Sequence, residues 1–148
     1  MLGLQPPEKT GKPMDGGEIF PSPQTGDERR TVLVIDDEVA LLAIIADVLE
    51  ENGFIVLTVA DGPAGLDILR SERSIDLLIT DIRLPKGMNG REVAEAARMT
   101  RPDLKILFMT GYAGSALDGG PLAAGTEIMT KPFNLVRLAD RVTRIIES

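Results

Sequence analysis

The chain has 148 residues, 43% of them hydrophobic, which is enough apolar material for one compact domain with a core and hardly enough for two. A net charge of -7 excludes a protein held to nucleic acid by its charge, since affinity for phosphate backbones comes largely from clustered Lys and Arg. The absence of Cys and His excludes disulfides, cysteine nucleophiles, imidazole acid–base chemistry and the usual zinc sites, and leaves carboxylates and oxygen ligands.

No apolar run approaches the roughly 20 residues needed to span a bilayer. The first residues also lack the basic-then-apolar order of a secretory signal, so a cytoplasmic protein without membrane contact is expected. Residues 1–30 carry Pro6, Pro7, Pro13, Pro21 and Pro23 among Gly, Glu, Lys and Asp, with no apolar period. Such a segment buries too little to offset its ordering entropy and reads as a flexible tail or linker, with Ile19-Phe20 as its one candidate docking segment. Residues 31–148 read as the folded domain.

That domain opens with Val32-Leu33-Val34-Ile35, a continuous apolar run that fits a strand buried on both faces, followed by Asp36-Asp37-Glu38. Val39, Leu41, Leu42, Ile44, Ile45, Val48 and Leu49 then recur at helical spacing up to the stop at Asn52-Gly53. Phe54 to Val59 predicts a second strand, and Asp61-Gly62-Pro63 opens a helix through about Arg70, with Pro near the first position where its missing N–H costs little. Ile75 to Thr80 predicts the third strand, which ends at Asp81 and turns at Pro85. A helix over Arg91 to Met99 follows Asn89-Gly90, and Leu104 to Met109 predicts a fourth strand ending at Thr110. Between Gly111 and Gly125 the residues Gly114, Gly119, Gly120 and Pro121 permit at most a short or irregular helix. Glu127 to Met129 predicts a brief strand leading to Lys131-Pro132, and Asn134 caps a final helix with Leu135, Leu138, Val142, Ile145 and Ile146 on one face.

Five strands alternating with helices predict an α/β fold, a doubly wound parallel sheet with ligands at the carboxyl ends of its strands. Asp36, Asp37, Asp81, Thr110 and Lys131 all fall on that rim. Three carboxylates in one crevice raise one another's pKa and call for a cation. An all-oxygen donor set favours Mg2+ or Mn2+, and Mg2+ characteristically brings phosphate oxygens with it. A free carboxylate can attack phosphorus in line, with a hydroxyl and an ammonium on the phosphoryl oxygens. Taken singly, each residue has a plainer explanation: Asp36-Asp37-Glu38 as helix-capping acids, Lys131 as a surface lysine, Thr110 as a strand-end hydroxyl bonding its own backbone.

The ordered set Asp36-Asp37, Asp81 with Pro85, Thr110-Gly111 and Lys131-Pro132 resembles the receiver domain of bacterial response regulators over about Arg30 to Ser148. With Thr130-Lys131-Pro132-Phe133 and the Gly/Pro-rich segment after Tyr112, it is most similar to receivers of hybrid sensor histidine kinases. The resemblance implies a five-stranded sheet of flavodoxin-like order 2-1-3-4-5. It implies that Asp81 accepts a phosphoryl group from a phosphohistidine, with Thr110 and Lys131 on the phosphate. Mg2+, or Mn2+, is then held by Asp37, Asp81 and the Arg83 main-chain carbonyl, and by Asp36 mainly through water. It further implies a cis Lys131-Pro132 bond, a tuning role for Arg83 and Tyr112 in water access, and a sensor histidine kinase or histidine phosphotransfer protein as partner. Such a chain is a monomer or weak dimer that catalyses its own phosphorylation and dephosphorylation without being a turnover enzyme.

Three positions depart from the family pattern. The loop Pro85-Lys86-Gly87-Met88-Asn89-Gly90 is one residue longer than in the commonest receivers, Ile128 stands where the family usually has Tyr or Phe, and the segment after Tyr112 is poor in helix formers. Ile128 and the weak fourth helix keep open a receiver-shaped interaction module whose output ignores phosphate. A metal-dependent phosphatase of the haloacid-dehalogenase type wants two Asp separated by one residue after the first strand, where this chain has Asp36-Asp37-Glu38. A topoisomerase-primase-like metal site wants an acid where Arg83 stands. No output domain is expected after the last helix.

Overall fold

The computed structural model describes residues 29–111 and 122–148. In chain order the elements are β1 (Thr31–Ile35), α1 (Val39–Glu51), β2 (Ile55–Val59), α2 (Gly62–Arg70), β3 (Leu77–Asp81), α3 (Gly90–Thr100), β4 (Lys105–Thr110), β5 (Thr126–Thr130) and α4 (Leu135–Glu147). All strand pairings are parallel, and the order across the sheet is β2-β1-β3-β4-β5, the expected 2-1-3-4-5. Chain direction across the sheet reverses between β1 and β3, which opens a crevice where those two strands end.

Strand position accounts for composition. Every residue of β1 is buried, as are four of the five residues of β3, because both strands are covered on both faces. The edge strands β2 and β5 are largely half-exposed. Val32, Val34, Leu77, Ile79, Leu107 and Met109 face a core shared with Leu42, Ile45 and Leu49 of α1 and Leu138, Val142 and Ile145 of α4. Leu33, Ile35, Leu78, Ile106 and Phe108 face the second core, with Leu66 and Leu69 of α2 and Val93 and Ala97 of α3.

Helix starts follow the capping residues. Asp61 accepts from Ala64 N at 2.8 Å, Asn134 accepts from Val136 N and Arg137 N, and Asn89 forms a reciprocal capping box with Glu92. Helix α3 therefore begins at Gly90, one residue before the expected start, and β3 begins at Leu77, two residues after the expected start, with Asp81 at its end as expected. In α1 the apolar period contains more large residues than one face can bury: Leu42, Ile45 and Leu49 are inside, whereas Val39 and Ile44 are exposed. Of the segment Gly111 to Gly125, expected to hold at most a short or irregular helix, residues 112–121 with Tyr112 lie outside the described residues, as do residues 1–28 of the expected tail. The described part of the stretch that follows, Leu122 to Gly125, contains no helix. Among the described residues no helix is long and apolar enough to cross a membrane.

Candidate functional site

The parallel register sets the rim. Ile35 lies opposite Thr80, Asp81 opposite Met109, and Thr110 opposite Thr130. The residue after β1, the last residues of β3 and β4, and the residue after β5 thus form one row: Asp36, Asp81, Thr110 and Lys131. Asp37 joins it from the turn into α1. Asp36, Asp37 and Asp81 each bring a carboxylate oxygen to within 4.8 Å of the others, a cluster able to hold a divalent cation.

Lys131 lies across this cluster. Its Nζ donates to Asp81 Oδ2 at 2.8 Å and to Asp36 Oδ2 at 3.0 Å, and Glu38 Oε1 stands 3.6 Å away. Burial opposes the charge on Lys131, but the hydrogen bonds to Asp81 and Asp36 outweigh it and hold the ammonium above its ordinary pKa. Asp36 has no exposed surface. Burial pushes its carboxyl above the usual value, against the opposing pull of Glu38 N, which donates to Oδ1 at 2.8 Å, and of Lys131. The helix-capping explanation of the acidic turn does not account for this arrangement, because Glu38, the N-cap of α1, makes no side-chain capping bond.

The main chain around Asp81 is tightly held. Arg83 N donates to Asp81 Oδ1 at 3.1 Å, which brings the Arg83 backbone to the site, while the Arg83 side chain is exposed. Thr80 Oγ1 donates to the Asp81 carbonyl at 2.9 Å. Thr110 is buried, and its carbonyl accepts from Lys131 N at 2.7 Å, so the two residues expected on a phosphate are joined through their backbones. Lys131-Pro132 is cis. Ile128, opposite Phe108 in the sheet, is half-buried and packs on the α2/α3 side of the core rather than among the carboxylates.

Two contributors were not singled out from the sequence. Glu38 adds a third carboxylate near Lys131, beside Asp36 and Asp81, and its sequence signal is only that of an acidic turn. Gly90 sits against the Asp81 carbonyl with no space for a Cβ. Its only sequence signal is Asn89-Gly90, which marks a helix start.

The fold that carries this rim has relatives among known proteins. CpdR, the response regulator receiver protein of Brucella abortus (strain 2308), is 31% identical over 118 residues, covering 79% of this chain and 97% of that protein. The sensor kinase CckA of the same organism is 32% identical over 119 residues, covering 79% of this chain but only 12% of the kinase. The crystal structure of a response regulator receiver protein from Sinorhizobium medicae WSM419 superposes with a TM-score of 0.75 at 30% identity, covering 82% of this chain and 97% of the other. Residues 32–143 match the response regulator receiver domain, and with that match the chain belongs to the receiver domain family of two-component signalling.

Proposed function

We propose that this receiver domain accepts a phosphoryl group on Asp81 from the phosphohistidine of a sensor histidine kinase or histidine phosphotransfer protein, and signals through protein–protein contacts. The observation that carries the reading is the convergence of Asp36, Asp37 and Asp81 on one point with Lys131 bonded across two of them. The donor set is all oxygen and strongly anionic, which fits Mg2+ or Mn2+ better than a softer metal. Asp36, Asp37, Asp81 and the Arg83 main-chain carbonyl would hold the ion. When bound, it neutralises the carboxylates and screens the phosphoryl oxygens from the nucleophile.

The chain's own residues supply the rest. An Asp81 carboxylate oxygen forms the new P–O bond as the P–N bond to the donor imidazole breaks, and the electron pair leaves with the imidazole nitrogen, which takes up a proton. Lys131 exchanges its bond to Asp81 Oδ2 for one to a phosphoryl oxygen, and the Thr110 hydroxyl donates to another. These contacts stabilise charge that is already present in the donor, which suits a reaction governed by positioning rather than by covalent assistance. The protein performs this step upon itself and is not a turnover enzyme. Because Lys131 N is bonded to Thr110 O, a shift of Lys131 towards phosphate pulls on the end of β4.

The test is incubation of the full chain with acetyl phosphate and Mg2+, followed by intact mass measurement. A gain of one phosphoryl group, dependent on Mg2+ and absent in Asp81→Asn, is expected. No gain with acetyl phosphate or with a panel of phosphorylated histidine kinases would sink the reading.

Ile128 favours a second reading, an interaction module indifferent to phosphate, since an isoleucine offers no hydroxyl or ring to couple with Thr110. Equal affinity for a captured partner with and without beryllofluoride would support that module, because a ligand without differential affinity shifts no population.

A further inference from the structure

The loop from Ile82 to Asn89 joins β3 to α3 and is closed at its base, where Gly90 N donates to Ile82 O at 2.8 Å. At its tip Lys86 has a φ of +66° and Gly87 a φ of +75°. Glycine takes that region freely, whereas a lysine is strained there and Asn would be the better tolerated side chain. Backbone preference therefore does not explain a lysine at 86. Its ammonium does: Lys86 Nζ lies 3.2 Å from Asp61 Oδ2, and the Asp61 side chain is only 15% exposed. Asp61 is also the N-cap of α2, with its other oxygen bonded to Ala64 N at 2.8 Å. The loop meets α2 a second time at Met88, whose carbonyl oxygen would stand 3.0 Å from a Cβ on Gly62.

We propose that Lys86 is a positioning residue for the divalent-cation site, strapping the β3–α3 loop through Asp61 to the first turn of α2. The proposal rests on the reading of the Arg83 main-chain carbonyl as a cation ligand. The strap and the site share one short loop. Three residues before Lys86, Arg83 N holds Asp81 Oδ1, and four residues after it Gly90 rests on the Asp81 carbonyl. With the tip released, the loop keeps its base and the Met88 contact but loses its only ion pair among the described residues, and Arg83 is free to swing about the Ile82–Gly90 closure. Lys86 is itself 69% exposed, so the strap weakens as salt screens it.

The experiment titrates Mn2+ into the unphosphorylated full chain, following free Mn2+ by electron paramagnetic resonance, alongside amide hydrogen exchange of residues 82–89. Lys86→Gly removes the strap and the backbone strain together. It is expected to keep or raise thermal stability while weakening Mn2+ binding roughly three- to tenfold at low salt, less than the loss typical of a buried outer-shell partner. Exchange in the loop should quicken, Lys86→Arg should restore binding to within about twofold, and molar salt should narrow the gap. Lys86→Gly and Lys86→Glu binding Mn2+ as tightly as the unchanged protein, with loop exchange unaltered, would overturn the strap alone, even with Asp81 accepting phosphate normally. Failure of the unchanged protein to bind Mn2+ would overturn both the strap and the cation reading beneath it.

Discussion

Gly90 lies flat on the main-chain carbonyl of Asp81: a Cβ there would overlap the carbonyl oxygen and stand 3.0 Å from both the Asp81 carbonyl carbon and Ile82 Cα. These are backbone atoms at the end of a central strand, so they cannot rotate away as a side chain can. The first turn of α3 is thereby seated on the residue that carries the candidate nucleophile. Gly90→Ala is expected to destabilise the fold by about 2 kcal/mol in denaturant unfolding, the usual scale of overpacking, and to slow phosphorylation of Asp81 under conditions where the variant is folded. Gly65→Ala is the control. Its Cβ would overlap Ile35 Cδ1 and stand 3.0 Å from Ile35 Cγ1, which are side-chain and not backbone atoms, and the gain in helix propensity offsets part of the clash with this buried residue. Its loss should stay within about 1 kcal/mol, with phosphorylation unchanged.

Asp36, Asp81, Thr110 and Lys131 were legible in the sequence because each ends or follows an apolar run, and the alternation of strands with helices places all such ends on one rim. What joins them was not legible. Lys131 bonds partners 95 and 50 residues away, and no spacing rule specifies that both carboxylates lie within reach of one ammonium. Val39 and Ile44 have the same apolar character as Leu42 and Ile45, and only packing against the sheet separates buried from exposed. Lys86 and Asp61 belong to different loops, and their meeting depends on a left-handed residue that the sequence would sooner assign to Gly87.

Acid should act at Asp61. The hydrogen bond from Ala64 N, and then Lys86, hold its carboxyl below the ordinary aspartate value. A depressed folded-state pKa means that the group binds its proton more readily when unfolded. Its stabilising contribution is therefore complete above the unfolded value of about 4 and is lost as pH falls through the folded one. Asp61→Asn keeps a capping oxygen but cannot titrate. Denaturant unfolding between pH 6 and about pH 3 should show a shallower decline for Asp61→Asn than for the unchanged chain. Parallel declines would mean that other carboxylates carry the acid sensitivity.

Val39 and Ile44 present apolar surface on α1, 70% and 45% exposed, beside the acidic turn that leads to the site. We propose that the solvent side of α1, on which Val39 and Ile44 lie about 140° apart, receives the kinase together with the rim at the end of β5. Alanine at both positions removes exposed surface only, so unfolding stability should change by less than about 0.5 kcal/mol. Transfer from a cognate phosphorylated kinase should slow several-fold, while phosphorylation by acetyl phosphate, which needs no docking, should not change. Unaltered transfer from the kinase would place the docking face elsewhere.

Lys131 and a divalent cation answer the same need, since each offsets the charge of Asp36 and Asp81. Lys131→Met removes one partner and leaves Asp36, which has no exposed surface, facing Asp81 without a cation. Breaking a fully buried pair costs about 3–5 kcal/mol. Because the Lys131 side chain is 19% exposed and water can enter, a smaller loss of about 1–3 kcal/mol is expected here without metal. Mg2+ should restore much of it. The ion no longer competes with an ammonium for Asp81 Oδ2, so it binds the variant more tightly, and at a hundredfold excess over Kd binding adds about 2.7 kcal/mol. The measurement is Tm against Mg2+ concentration: the rise should be larger for Lys131→Met than for the unchanged chain, while phosphorylation by acetyl phosphate falls sharply for want of the ammonium on phosphate. Equal rises would show that Lys131 and the cation do not share the carboxylates.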